Sequence, residues 1–167
     1  MRFLTFSAIA LLMAGCAGYH VGPVRPKFMT GVQTIAVPTF KNDTLIPRVE
    51  VLVAGTVVKQ IQQDGTFKIA GSDRADAILE GKIVEIRRNS ARSVHGDVLS
   101  TREYRLTIRI EYTITSRLTG EQLNHRTVTG ETSFFVGGDV VSDERQAIPL
   151  AAEQAAINLV SQISEGW

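Results

Sequence analysis

At 167 residues the chain is long enough for one domain of ordinary size plus a targeting segment. Its 44% apolar and 21% charged residues form a globular balance, and 18 Lys and Arg against 17 Asp and Glu leave a net charge of +1. These figures exclude a disordered chain and a nucleic-acid binder working through bulk charge, a mean hydropathy of +0.05 excludes a polytopic membrane protein, and a single Cys excludes an intramolecular disulfide or a cysteine zinc site.

Arg2 and the apolar stretch Phe3 to Ala14 have the length of a secretory h-region and are too short to span a bilayer of roughly 30 Å. Met13-Ala14-Gly15-Cys16 follows and resembles a bacterial lipobox, with Met where Leu is usual. Cys16 is therefore expected to carry the lipid, and several acyl chains at ~0.8 kcal/mol per buried CH₂ anchor a protein stably. An ordinary signal peptide with an unmodified thiol is the alternative. Residues 1–15 are the expected signal peptide. Ala17 stands where an Asp would resemble an inner-membrane retention signal, which favours the outer membrane with the body facing the periplasm. The mature chain, Cys16 to Trp167, would hold 152 residues with equal numbers of acids and bases.

Residues 16–31, punctuated by Gly22-Pro23, Pro26 and Gly31, read as a lipidated tether. Residues 32–167 then form one domain. Val32 to Phe40 is β-rich, with Pro38 marking an edge or a bulge. Thr44 is the expected cap of a first helix, with Pro47 in its first turn and an apolar face through Ile46, Val49, Leu52, Val53, Val57 and Ile61. Asp64-Gly65 ends it. Thr66 to Ala70 is a short strand, and Ala77 to Arg87 a longer one whose phase slips at Gly81, suggesting a bulge. Asn89 to Leu99 is polar and reads as a loop or a hairpin tip. From Tyr104 to Ile114 apolar and polar residues alternate strictly, the pattern of a half-buried antiparallel strand. Arg117 to Gly120 is a hairpin connection, and Leu123 to Val136 returns as a second long strand. Ser142 is the expected cap of a last helix, whose stripe is Ile148, Ala152, Ala155, Leu159 and Ile163. Pro149 would delay or kink it. The expected fold is α+β, two helices packed on one face of a mostly antiparallel four- to five-stranded sheet, with the other face polar and free for a partner.

No catalytic constellation is present. His20, His95 and His125 lack metal-ligand spacing, no Gly-x-Ser-x-Gly occurs, and Gly137-Gly138 lacks a phosphate-loop Lys. Neither enzyme activity, nor a metal, nor a cofactor is expected. One charge bias remains. Between Lys82 and Arg126 nine basic residues face five acids, and eight of the nine are Arg, the side chain suited to bidentate phosphate contact. Arg87, Arg88, Arg92 and Arg102 cluster at the loop end of the sheet, and Arg105 and Arg109 share the polar face of the long strand. They are the candidate anionic-lipid site. The alternative is a solvated face of cross-strand Arg–Glu pairs.

Cys16-Ala17-Gly18-Tyr19, the strand Ile35 to Phe40 ending in Phe40-Lys41-Asn42-Asp43-Thr44, Asp64-Gly65-Thr66-Phe67, Ala75-Asp76-Ala77-Ile78-Leu79-Glu80-Gly81, and Phe134 to Glu144 leading into an Ala-rich helix occur in an order that resembles the LptE family of lipopolysaccharide-assembly lipoproteins. The resemblance implies two helices on a small sheet, an outer-membrane lipid anchor, residence inside the LptD β-barrel, support of that barrel's assembly, and lipopolysaccharide binding through basic side chains. The alternative function is a lipoprotein adaptor that activates a cell-wall synthase. Ala17 to Gly31, fifteen residues, reaches about 50 Å at ~3.3 Å per residue. That keeps the body near its membrane and favours the translocon.

Overall fold

The computed structural model of the protein describes residues 25–92 and 102–166. Six strands and two helices follow in the order β1 (Thr34–Ala36), β2 (Lys41–Asn42), α1 (Val49–Asp64), β3 (Lys68–Ile69), β4 (Ala77–Arg92), β5 (Arg102–Ser116), β6 (Gln122–Val136) and α2 (Val140–Ser164). A short 3₁₀ turn, Lys27–Met29, precedes them.

The sheet runs β3-β1-β4-β5-β6, with β2 also beside β4. β4, β5 and β6 form an antiparallel meander, whereas β1 and β2 lie parallel to β4, and β3 parallel to β1. The expected α+β class therefore holds, but the sheet is mixed and six-stranded rather than mostly antiparallel with four or five strands. The reason is topological. α1 carries the chain from the β1–β2 edge to β3, and a helical crossover joins parallel strands. Strands of two or three residues carry no periodicity from which direction could be read.

The strict alternation of β5 resolves as expected. Leu106, Ile108, Ile110, Tyr112 and Ile114 are fully buried against the helices, each contributing about 1.5–3 kcal/mol of burial. Val53, Val57 and Ile61 of α1, and Ala151, Ala152, Ala155, Leu159 and Ile163 of α2, cover the same face. Gly130 of β6 lies directly under α2. A methyl there would fall within contact distance of the Ala151 carbonyl and the Ala155 amide, so the run of alanines lets helix backbone meet strand backbone. The Tyr112 hydroxyl donates to Gln162 Oε1 at 3.0 Å, tying β5 to α2.

Local expectations shift in four places. α1 begins at Val49, not after Thr44. Thr44 instead donates its N–H and hydroxyl to Asn42 Oδ1, while Asn42 Nδ2 donates to the Ile46 carbonyl and Glu50, so one Asn side chain shapes the whole entry loop. β4 shifts register against β5 at Val84, between Ile83 and Glu85, and again between Ser90 and Arg92, and not at Gly81. Gly81 pairs regularly with Tyr112, and its lack of a side chain makes room for the Phe40 ring. The strand also continues to Arg92 through residues expected as loop. Finally, α2 is capped by Asp139, whose carboxylate accepts from the Val141 N–H, and it runs through Pro149. Residues 25–31, expected as the end of the tether, lie on the domain. Met29 is fully buried, and Arg25 donates to the carbonyls of Val32 and Thr66 and stacks on Phe67.

Candidate anionic-ligand surface

The register of the meander sorts the candidate arginines. Glu85 pairs with Arg109, Arg87 with Thr107 and Asn89 with Arg105, so Arg87, Arg105 and Arg109 share the open face opposite the helices. Arg88, one residue on from Arg87, pairs with Leu106 and turns to the helix side. There its guanidinium donates to Glu144 of α2 and lies 5.6 Å from the centre of the Tyr104 ring. Arg88 is thus separated from the group with which it clusters in sequence, because neighbours on a strand point to opposite faces. The backbones of Arg92 and Arg102 stand at the loop end of β4 and β5, opposite Glu103 and Val136. Their side chains lie outside the described residues, as do Cys16, the signal segment, His20, His95 and residues 93–101.

The three open-face arginines are interleaved with acids. Glu85 accepts from Arg87 and lies 3.3 Å from Arg109, and Arg105 stands 3.9 Å from Glu131. Further along, Lys82 bridges Asp43 at 3.2 Å and Glu111 at 3.6 Å, and these acids raise its pKa. The face is therefore a ladder of cross-strand ion pairs. Such pairs, solvent-exposed, contribute only about 0–1 kcal/mol. A phosphate offering a bidentate partner can displace or join a carboxylate at little cost. Glu103, two residues from Arg105 on the same face, joins Glu85 and Glu131 and balances the three arginines of the loop-ward half, while Lys82 with Asp43 and Glu111 leaves the other half acidic. Glu85 and Glu131 carry no mark of this role in the sequence, since only the cross-strand register brings them beside the arginines.

His125 Nδ1 lies 3.0 Å from the Thr113 hydroxyl, and among the described residues no group of three or more His, Cys, Asp or Glu could hold a metal ion. No described helix is long and apolar enough to cross a membrane. Asp76 has a structural task. Its carboxylate accepts from the N–H groups of Gln33 and Thr34 and from the Thr34 hydroxyl, holding the start of β1 against β4, and these bonds keep its pKa below the usual carboxylate value.

A sequence model of the family described as LptE, lipopolysaccharide-assembly, matches residues 32–163, from the start of β1 to the end of α2. The chain belongs to the LptE family. The matched span contains every element of the sheet and both helices, so the family's domain is the one described above. No curated protein sequence is significantly similar to the chain. Among solved structures, protein CT253 from Chlamydia trachomatis aligns with a TM-score of 0.58 at 6% identity, covering 80% of this chain and 96% of that one. A minor lipoprotein from Acinetobacter baumannii aligns at 0.52 with 13% identity, covering 80% and 93%. The PelC dodecamer protein from Paraburkholderia phytofirmans aligns at 0.51 with 15% identity, covering 86% and 96%. At these identities the likeness is one of fold. What the family match adds is the role: this LptE-family chain is a lipopolysaccharide-assembly protein.

Proposed function

We propose that the protein is an outer-membrane lipoprotein, anchored through Cys16 and facing the periplasm, that plugs and helps assemble an LptD-type β-barrel and presents Arg87, Arg105 and Arg109 to the phosphates of lipopolysaccharide. Arg92 and Arg102, whose backbones stand at the ends of the same strands, belong to the same proposed phosphate contact. The observation that carries the reading is the polarity of the domain. Residues 25–29 enter at one end, where Pro26 lies beside Gly166 and Arg25 reaches the start of β1. Arg87 and Arg105 stand toward the other end. Arg87 is ten residues along β4 from Ala77, about 33 Å at the strand rise. An N-terminal segment packed at one end of the domain and arginines on the open face toward the other suit a plug that meets lipid away from its own anchor.

A mild-detergent pull-down of the tagged, lipidated protein from its native outer membrane tests the partner. A stoichiometric large β-barrel is expected, and a cell-wall synthase without a barrel would replace the reading by the adaptor function. Binding to purified lipopolysaccharide tests the surface. Arg87→Ala, Arg105→Ala and Arg109→Ala together should lower affinity at least tenfold with an unchanged circular dichroism spectrum. Unchanged affinity would assign the ladder to solvation alone.

A further inference from the structure

The bulge at Val84 decides which side chain stands beside Arg109. Lys82 and Ile83 pair with Glu111 and Ile110 in simple register, and Val84 would follow opposite Arg109. The extra residue hands that place to Glu85 and sets Arg87 on the same open face, two residues on. Bulges are frequent beside functional sites, where they re-aim a side chain.

The re-aimed carboxylate meets two cations. Its Oε1 accepts from Arg87 on its own strand, and its Oε2 lies 3.3 Å from Nη2 of Arg109 on β5. The other acids of the face are held differently. Glu131 accepts from the Thr107 hydroxyl at 3.3 Å and stands 3.9 Å from Arg105. Glu111 lies beside Lys82, which also bridges Asp43. Exposure separates the partners as well. The Glu85 side chain is 29% exposed, against 63% for Arg87 and 49% for Arg109. The carboxylate is the more covered member, and both guanidinium groups keep surface open to an incoming anion.

Arginine uses the same planar fork for a carboxylate and for a phosphate. Two guanidinium groups converging on one anion from neighbouring strands are what a phosphate needs, and Glu85 supplies that anion from the chain itself. Exposed pairs of this kind are weak enough to exchange. We propose that Glu85 is a built-in competitor for the lipid phosphate: it holds Arg87 and Arg109 between ligands, yields them to a phosphate, and reclaims them as the phosphate leaves. The proposal rests on the reading above that these arginines meet lipopolysaccharide phosphates. A protein that hands its ligand on needs release as much as capture, and a carboxylate that reclaims the arginines provides it.

The test measures association and dissociation of purified, detergent-solubilised lipopolysaccharide on the full-length tagged protein. Glu85→Gln keeps the shape of the side chain and removes its charge. With two weak pairs no longer to be broken it should bind about fivefold more tightly or better, most of the gain lying in slower dissociation. Glu85→Ala should do the same, and decides alone if Glu85→Gln fails to fold by circular dichroism. Glu111→Gln takes the same charge from the same face but leaves Lys82 with Asp43, so its gain should stay well below that of Glu85→Gln. In a chain that already carries Arg87→Ala and Arg109→Ala, Glu85→Gln should bring no gain. Folded Glu85 variants that bind no better than wild type would make Glu85 a structural partner and overturn the proposal. An equal gain from Glu111→Gln, or a gain that survives loss of the two arginines, would assign the effect to bulk charge and overturn it too. A gain confined to faster association would remove Glu85 from release. In each of these cases, lost affinity in the variant lacking Arg87, Arg105 and Arg109 keeps the surface reading standing. Unchanged affinity in that variant, or a wild type that binds no lipopolysaccharide, would overturn the surface reading and the competitor with it.

Discussion

Gly81 and Gly130 are each glycine because another part of the chain occupies the space of a Cβ, not because the backbone turns. At Gly81 the neighbour is the Phe40 ring, a side chain that can shift, so Gly81→Ala should destabilise by about 1–3 kcal/mol, as overpacking does. At Gly130 the neighbours are backbone atoms of α2, and the helix itself must move. Gly130→Ala should cost more than Gly81→Ala in urea melts, and the reverse order would place the tighter contact at Phe40. Asp76 offers a second measurement. Its pKa in the fold lies below the ordinary 3.8, so the stability it contributes is fully present above that value and is lost as pH falls through the lower, folded pKa. Between pH 5 and 2 the wild type should lose more stability than Asp76→Asn, which is already without the charge. Parallel pH profiles would remove Asp76 from the acid response. None of these roles can be read from residue types alone. By local pattern Gly81 suggests a bulge and nothing marks Asp76, because the partner of each is a distant segment, Phe40 in one case and Thr34 in the other.

The long strands are legible as elements because a period of two sustained over a dozen residues fits a half-buried strand and not a helix. What the pattern conceals is the bulge at Val84. One extra residue moves the inward positions from Leu79, Gly81 and Ile83 to Ile86, and with them the face on which each arginine emerges. Arg87 joins Arg105 and Arg109, and Arg88 joins Glu144 and Tyr104. The two neighbours should therefore fail in different assays. Arg88→Ala should lower stability by about 0.5–1 kcal/mol, the scale of a partly exposed ion pair with a ring contact, and leave lipopolysaccharide affinity unchanged. Arg87→Ala should do the opposite. Equal losses of affinity in both would mean that the lipid reaches both faces of the strand. At α2, the acids after Ser142 give that residue the pattern of a cap, but Asp139 takes the role because the strand ends at Val136 and the helix starts at once.

At the scale of the whole molecule, one layer of two helices lies on one face of a six-stranded sheet, and Tyr112 links the layers through Gln162. Burial, partly opposed by nearby Arg126, pushes the Tyr112 phenol up to about 12. The neutral form is the one the fold holds, so its stabilisation is complete below pH 10 and is lost as pH rises from 10 to 12. Melting temperature should fall across that window, and Tyr112→Phe should flatten the fall. An equally steep fall in the variant would place the alkaline transition elsewhere. The α+β class, the two long antiparallel strands, the helical faces and the Arg-rich segment are all written in the amino-acid order. Each follows from a local period or from composition, and burial of an apolar stripe enforces it. The parallel direction of the short strands, the position of the bulge and the acids paired with each arginine emerge only when the chain is packed. They depend on which distant segment lies alongside, and that is fixed by packing α1 and α2 on one shared sheet, where no local pattern records it.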